Sequence, residues 1–370
     1  MSEEMRPLLL TFDPPENIGG IEKRVASYAL ELVARGHEVS VISCSPIKHY
    51  DIGKRYGASF MEHPSSISKL PQACARAVFF MSKQNADSLV VLSGAPSALG
   101  AFVLLYAKVL QIPSLAFCYG RDILSSRKSL TERSFLGISL KAARKVAVNS
   151  EYTRGLLPRS LERKAVVIYP TVTRDENDRR NQTHSTNNLQ TILFVGRLVR
   201  RKGVDLLIEA FAEIAQKHQD VGLRIVGEGP ELDNLSRLAK DLGVSDKVSF
   251  TGTLREAALQ SAFDDSDVLA MPSRSSSGDV EGFGTVVIEA GARGLPVVGS
   301  ASGGISEAVA DGVTGILVPE GDSRALAAAI RRLLDDDELR TRMGLAARER
   351  IEKEFTLDSA VDLIEESLGA

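Results

Sequence analysis

An α/β chain of two doubly wound, Rossmann-like domains facing a central cleft is the fold class this sequence predicts, and three observations carry the prediction. The chain has 370 residues, more than the roughly 250–300 at which a single core stops growing. Short apolar runs of strand length alternate with amphipathic helical stretches along nearly all of it, the pattern of a parallel sheet covered on both faces. Between Thr171 and Gln190 the alternation stops and a polar stretch takes over.

In the first half, Leu8–Phe12 reads as a strand. Ile21–Arg35 reads as a helix with Val25, Tyr28, Ala29 and Leu32 on one face, stopped by Gly36 and His37 before a strand at Glu38–Ser43. Leu89–Leu92, Ser114–Phe117, Lys145–Val148 and Ala165–Ile168 continue the strands, with a buried helix opening near Pro96. Thr173 to Asn188 has almost nothing to bury and reads as a linker or flexible excursion. A second series then runs through strands at Thr191–Val195, Gly222–Val226, Lys247–Phe250, Asp267–Met271, Pro296–Gly299 and Ile316–Val318. Helices at Val204–Gln216, Glu231–Leu242, Thr285–Arg293 and Ala325–Leu334 accompany it, the last capped by Asp322. Leu339–Glu352 and Asp358–Leu368 are terminal helices. The expected domains are thus 1–172 and 191–355, joined by 173–190, with a last helical segment, 356–370, that can cross back to the first domain.

Composition narrows the function classes. Apolar residues at 44% and charged residues at 25% are globular values. A net charge of -3 argues against a nucleic-acid binder, which meets phosphates with a basic excess. Cys44, Cys74 and Cys118 fit neither a disulfide framework nor a metal spacing, and the acidic N-terminus is unlike a signal peptide. Ser88–Leu110 is apolar enough to suggest a membrane span, but Gly94, Pro96 and Lys108 interrupt it. A cytoplasmic protein is expected, with Asn181-Gln-Thr183 a chance sequon.

Chemistry concentrates at strand exits, where doubly wound sheets bind ligands. Gly19 and Gly20 lie between the first strand and first helix, suited to close backbone approach by an anion, although they form neither the dinucleotide fingerprint nor a P-loop. Gly227 and Gly229 with Pro230 occupy the corresponding exit in the second half, and Gly303–Gly304 another. Gly196, Arg197 and Lys202 follow the Thr191–Val195 strand. A guanidinium and an ammonium there suit a pyrophosphate, one by its planar fork and the other as a point charge. Glu281 and Glu289 flank Gly282, Phe283, Gly284 and Thr285 at the start of a helix, offering acceptors for hydroxyls beside free N–H groups for phosphate. A glycosidase pair is the competing reading of these two carboxylates. It leaves the phosphate-binding exits without a purpose.

Gly196-Arg197 with Lys202-Gly203, then Glu281-Gly-Phe-Gly with Glu289, resembles the retaining glycosyltransferase family 4, of the two-domain GT-B type. The resemblance runs from Gly19-Gly20 to the Asp311–Pro319 segment, and Met271–Glu281 is similar to the branch of phosphatidyl-inositol mannosyltransferases and exopolysaccharide hexosyltransferases. It implies a hexose transferred from a UDP- or GDP-sugar to a glycan or lipid-linked acceptor, with retention, an alpha linkage and no metal cofactor. It also implies roles. Arg197 and Lys202 hold the donor diphosphate, Glu281 the sugar hydroxyls and Glu289 the ribose; the backbone around Phe283, Gly284 and Thr285 meets the distal phosphate or sugar, and Gly19-Gly20 completes the phosphate pocket.

The chain departs from that family at Tyr119, where a histidine is expected in Cys118-Tyr119-Gly120-Arg121-Asp122. A phenol can donate a hydrogen bond but cannot supply an imidazolium charge near neutral pH. The usual Pro-Asn-Gly before the linker is replaced by Tyr169-Pro170-Thr171. A related epimerase or phosphorylase is one alternative, and a homologue that binds without catalysing is another, which Tyr119 keeps open. Arg121, Arg127, Lys128, Arg133, Lys141, Arg144 and Lys145, with Phe135, Leu136 and Leu140 nearby, suggest an anionic membrane surface as a partner of the first domain and a peripheral position on the inner face.

Overall fold

The computed structural model describes residues 4–11, 20–43, 59–60, 74–75, 78–79, 81–82, 85–93, 97–172, 189–254, 256–275 and 279–369. Gly19, Cys44, His49, His63, Gly94, Pro96, the polar stretch 173–188 and Gly278 lie outside them. The chain divides into two compact units, Met1–Thr173 together with Leu357–Ala370, and Arg174–Thr356.

The first unit is a parallel sheet of seven strands: β1 (Pro7–Thr11), β2 (Ser40–Ser43), β3 (Ser59–Phe60), β4 (Ser88–Val91), β5 (Ser114–Cys118), β6 (Lys145–Val148) and β7 (Ala165–Val167), in the order β3-β2-β1-β4-β5-β6-β7. Its apolar runs are continuous because each face of the pleat has its own core. Leu8 and Leu10 of β1, Leu89 and Val91 of β4, and Ala116 and Cys118 of β5 point to one cluster. Leu9, Val90, Leu115 and Phe117 point to the other, where Val25, Tyr28 and Leu32 of the Gly20–Ala34 helix cover them. The C-terminal helix, Leu357–Leu368, completes that second core with Val361, Ile364 and Leu368. Arg35 clamps it from the side, its guanidinium reaching Glu365 at 2.9 Å and Asp358 at 3.2 Å, while His37 Nε2 lies 2.7 Å from Glu365.

The second unit is a parallel sheet of six strands: β8 (Gln190–Val195), β9 (Val221–Val226), β10 (Val248–Gly252), β11 (Val268–Met271), β12 (Val297–Ser300) and β13 (Gly315–Val318), ordered β10-β9-β8-β11-β12-β13. Ile192 and Phe194 of β8 pack with Leu207, Ile208 and Phe211 of the Val204–Ala215 helix and Ile330 and Leu333 of the Ser323–Asp335 helix. Asp322 caps the latter, its carboxylate accepting from the Ala325 amide at 2.9 Å.

Two doubly wound sheets are therefore present. In each, the chain leaves its first strand in one direction and returns on the other side of it, so the first unit reverses between β1 and β4 and the second between β8 and β11. Such reversal points open a crevice at the carboxyl ends of the strands. β3 and the Gly120–Ser126, Leu130–Ala142, Glu151–Gly155, Arg159–Glu162, Glu256–Asp264 and Ile305–Ala308 helices are not among the elements expected from the sequence. The first is two residues and the last is four, too short to show a period.

Candidate functional site

The second unit gathers its charges at the β8/β11 reversal. After β8 the chain makes one 3-10 turn, Arg200–Lys202, closed by Gly203 at φ 67°. A Cβ at Gly203 would stand 2.0 Å from the Pro272 carbonyl oxygen, so only glycine lets the turn lie against the exit of β11. Arg274 fastens the same turn. Its backbone amide donates to Arg201 O at 2.8 Å, its Nε donates to Arg200 O at 3.0 Å, and its Nη2 reaches the Asp205 carboxylate at 2.8 Å.

The loop after β11 is placed as tightly. A Cβ at Gly304 would come within 2.2 Å of Gly282 O, and the Gly304 amide donates to Glu281 O at 2.9 Å. Phe283 anchors the loop in the core, its ring 5.5 Å from that of Phe355. Gly284 then caps the Thr285–Ala292 helix with no side chain of its own, and Glu289 lies half-buried on that helix.

Between these two fixed backbones sits a cluster of charges. Lys202 Nζ and Arg201 Nη1, the latter at 2.7 Å, donate to the same Oε2 of Glu281, and Arg201 Nε lies 3.2 Å from Asp279 Oδ2. All of Arg201, Lys202 and Glu281 are largely shielded from water. Burial opposes the Glu281 charge, but Lys202 and then Arg201 outweigh it and hold the carboxyl at about 2. Burial likewise opposes the Arg201 charge, and Glu281 and Asp279 prevail, raising its pKa. Arg197 is different. It is exposed and has no carboxylate partner among the described residues.

Of the residues marked in the sequence, Lys202 and Glu281 are thus in direct contact, with Arg197 on the same strand exit and Glu289 on the helix beyond. Gly196 follows β8, and the Gly227 amide, after β9, donates to Gly252 O at 2.8 Å. Arg201 and Arg274 were not assigned roles from the sequence. Three consecutive basic residues at 200–202 announce the charge, but only the 3-10 turn decides that Arg201 and Lys202 face Glu281.

The first unit has its own polar exit. Gly20 opens the helix after β1. Tyr119, directly after β5, donates from its hydroxyl to Leu92 O at 3.0 Å and accepts from Arg24 Nη1 at 3.1 Å. The Arg24 guanidinium also lies over the Tyr119 ring, 5.5 Å from its centre. Leu136 and Leu140, expected near the basic surface, are core residues, and the exposed apolar side chains there are Leu130 and Ile138, with Phe102, Leu105 and Val109 on the Ala98–Val109 helix packed beside them. Among the described residues no helix is long and apolar enough to cross a membrane, and no group of three metal-binding side chains stands together.

Two Rossmann-like units with polar strand exits are the architecture of GT-B glycosyltransferases. Residues 18–176 match the family model for Glycosyltransferase Family 4 and residues 175–350 that for glycosyl transferases group 1. The GDP-mannose-dependent alpha-(1-6)-phosphatidylinositol monomannoside mannosyltransferase of Mycolicibacterium smegmatis is 32% identical over 92% of this chain and 92% of its own length. The D-inositol 3-phosphate glycosyltransferase of Corynebacterium aurimucosum is 40% identical over 43% of this chain and 38% of its own. Anabaena HepE, crystallised with UDP, matches with a TM-score of 0.80 at 22% identity, over 98% of this chain and 99% of that one. The chain belongs to glycosyltransferase family 4 and is a glycosyltransferase.

Proposed function

We propose that the protein moves a hexose from a nucleoside-diphosphate sugar to a hydroxyl of a glycan or lipid-linked acceptor, with retention and an alpha linkage, without a metal. A GDP-hexose is the first donor to try, mannose above all, because the relative similar over nearly the whole chain is GDP-mannose-dependent. The observation that carries the reading is the Lys202–Glu281 contact at the reversal point of the second sheet, with Arg197 exposed on the same exit.

Breaking a sugar–phosphate bond builds positive charge on the ring and negative charge on the departing diphosphate, so the largest catalytic gain comes from donors fixed around the leaving group. Arg197 meets the diphosphate as a planar fork with no carboxylate partner among the described residues. Lys202 turns from Glu281 to the phosphate, and the carboxylate so released accepts hydrogen bonds from the sugar. Arg201 remains on Glu281 and Asp279 and keeps the loop in place during that exchange. Glu289 takes the ribose hydroxyls, and the N–H groups at Gly284–Thr285 the distal phosphate or sugar.

The basic residues Arg121, Arg127, Lys128, Arg133, Lys141 and Arg144, all exposed, with Leu130 82% exposed among them, favour docking on an anionic membrane surface, at the inner face of the cell membrane. Sedimentation with liposomes that shows no preference for anionic lipid counts against that part. The transfer itself is tested by incubating the protein with GDP-mannose, UDP-glucose and a phosphatidylinositol mannoside. Release of the nucleoside diphosphate with an alpha-linked product by NMR is expected; a beta-linked product, or isomerised donor without transfer, overturns it.

A further inference from the structure

Arg24 is 9% exposed and Tyr28, one turn later on the same helix, is fully buried. A guanidinium has five N–H donors, and among the described residues this one donates a single hydrogen bond, to the Tyr119 hydroxyl. No carboxylate pairs with it among the described residues, and its other contact is the face of the Tyr119 ring. The Tyr28 hydroxyl is buried with no hydrogen-bond partner among the described residues. It is near enough to Arg24 that burial raises its pKa while the guanidinium pulls it down. Among the described residues the group therefore has an excess of donors and a buried positive charge without its counter-charge, which costs several kcal/mol unless something anionic completes it.

Its place in the fold says what completes it. Arg24 follows β1, Leu92 follows β4 and Tyr119 follows β5, and these three strands are neighbours spanning the reversal point of the sheet. Thr11 and Ser93 join their hydroxyls at 2.9 Å across the same exits of β1 and β4. A structural arginine would be expected to spend its donors on carbonyls or carboxylates. One left on an aromatic ring at the ligand-binding edge of a doubly wound sheet suits a planar, two-pronged interaction with an oxyanion.

We propose that Arg24, positioned by Tyr119, binds a phosphate group of a substrate in the first unit. This goes beyond the donor reading above, which rests on residues of the other unit. The phosphate belongs either to the donor diphosphate or to a phosphorylated acceptor, and the two are separable by experiment.

The full chain carrying Arg197→Ala and Lys202→Ala silences the second-unit phosphate contacts. In that background GDP and inositol 1-phosphate are titrated by calorimetry, with guanosine and inositol as phosphate-free controls. Adding Arg24→Gln is expected to raise the Kd at least tenfold for one phosphate ligand and to leave its control unchanged. An effect on GDP assigns the site to the donor, and an effect on inositol 1-phosphate assigns it to the acceptor. Affinities that Arg24→Gln leaves unchanged, or no phosphate binding at all in the double-alanine background, overturn the proposal. If Arg24→Gln does not fold, Arg24→Lys keeps the charge without the fork. A threefold or larger loss for the phosphate ligand alone then supports the site, and no loss overturns it.

Discussion

The two units hold their cationic groups at equivalent places and treat them in opposite ways. At the β8/β11 reversal Arg201 and Lys202 share the Glu281 carboxylate and Arg201 also meets Asp279, so two cations face two carboxylates and the charge is balanced within the protein. At the β1/β4 reversal Arg24 rests on a phenol and its ring, and no carboxylate among the described residues offsets its charge. A balanced cluster must exchange partners to take an anion. An unbalanced one only has to receive it. The difference teaches that a basic residue at a strand exit is informative chiefly through what neutralises it, and the two exits give that idea several points of attack.

The largest effect belongs to the cations of the second unit. Removing one preorganised donor from a developing negative charge costs about 3–4 kcal/mol, several hundredfold in rate, so Arg197→Ala and Lys202→Ala are each expected to lower kcat by that order. They should differ in stability. Arg197 is exposed and has no carboxylate partner among the described residues, and its loss leaves the melting temperature nearly unchanged, whereas Lys202→Ala removes one of the two partners of Glu281. Near-normal turnover of both variants with a proven donor and acceptor would break the leaving-group assignment.

Balance can be destroyed outright. Arg201→Met with Lys202→Met leaves Glu281 without either of its cations, and stranding one member of a buried pair typically costs about 3–5 kcal/mol. Denaturant titration of the double variant is expected to show a loss in that range, and Glu281→Gln added to it should recover part of the loss. No such recovery would mean that the three residues are not a coupled unit.

Acid reads the same balance. The Glu281 carboxyl stands at about 2 against an ordinary 4.5, so its folded-state pKa is depressed. The stabilisation this represents, on the order of 3 kcal/mol, is fully present above about pH 4.5 and is lost as pH falls toward about 2. The stability difference between the wild-type chain and Glu281→Gln should therefore shrink steadily through that window. A difference independent of pH between 5 and 2.5 contradicts the ion-pair account.

What could be read in advance divides along the same line. The strands were legible because Leu8-Leu-Leu10, Leu89–Leu92 and Thr191–Val195 are continuous apolar runs between helices, a local pattern that needs no knowledge of neighbours. The contact of Lys202 with Glu281 was not, although both residues were singled out. They are 79 positions apart, and their meeting depends on Gly203 fitting against Pro272 and on Gly304 fitting under Gly282. Arg24 left still less trace. It falls among the polar positions of an amphipathic helix, and only the adjacency of β1, β4 and β5 brings it to Tyr119.

The smallest expected effect is the most pointed, because it asks why a tyrosine stands where the family resemblance places a histidine. The Tyr119 hydroxyl accepts from Arg24 and donates to Leu92 O at once, which a neutral phenol does without an added charge. An imidazolium there would face the guanidinium as a like charge, and that disfavours its protonated form. Tyr119→Phe removes both hydrogen bonds and should cost about 2 kcal/mol. In Tyr119→His the imidazole, followed by NMR, should titrate below its ordinary value of about 6.5, leaving it uncharged at neutral pH. In the Arg24→Gln background the same histidine should titrate higher. If its pKa is unmoved by Arg24→Gln, the guanidinium does not set the electrostatics of this exit. If it rises, Arg24 and Tyr119 act as one device, a fixed positive charge carried by the helix after β1 and held in place by a residue that adds none of its own.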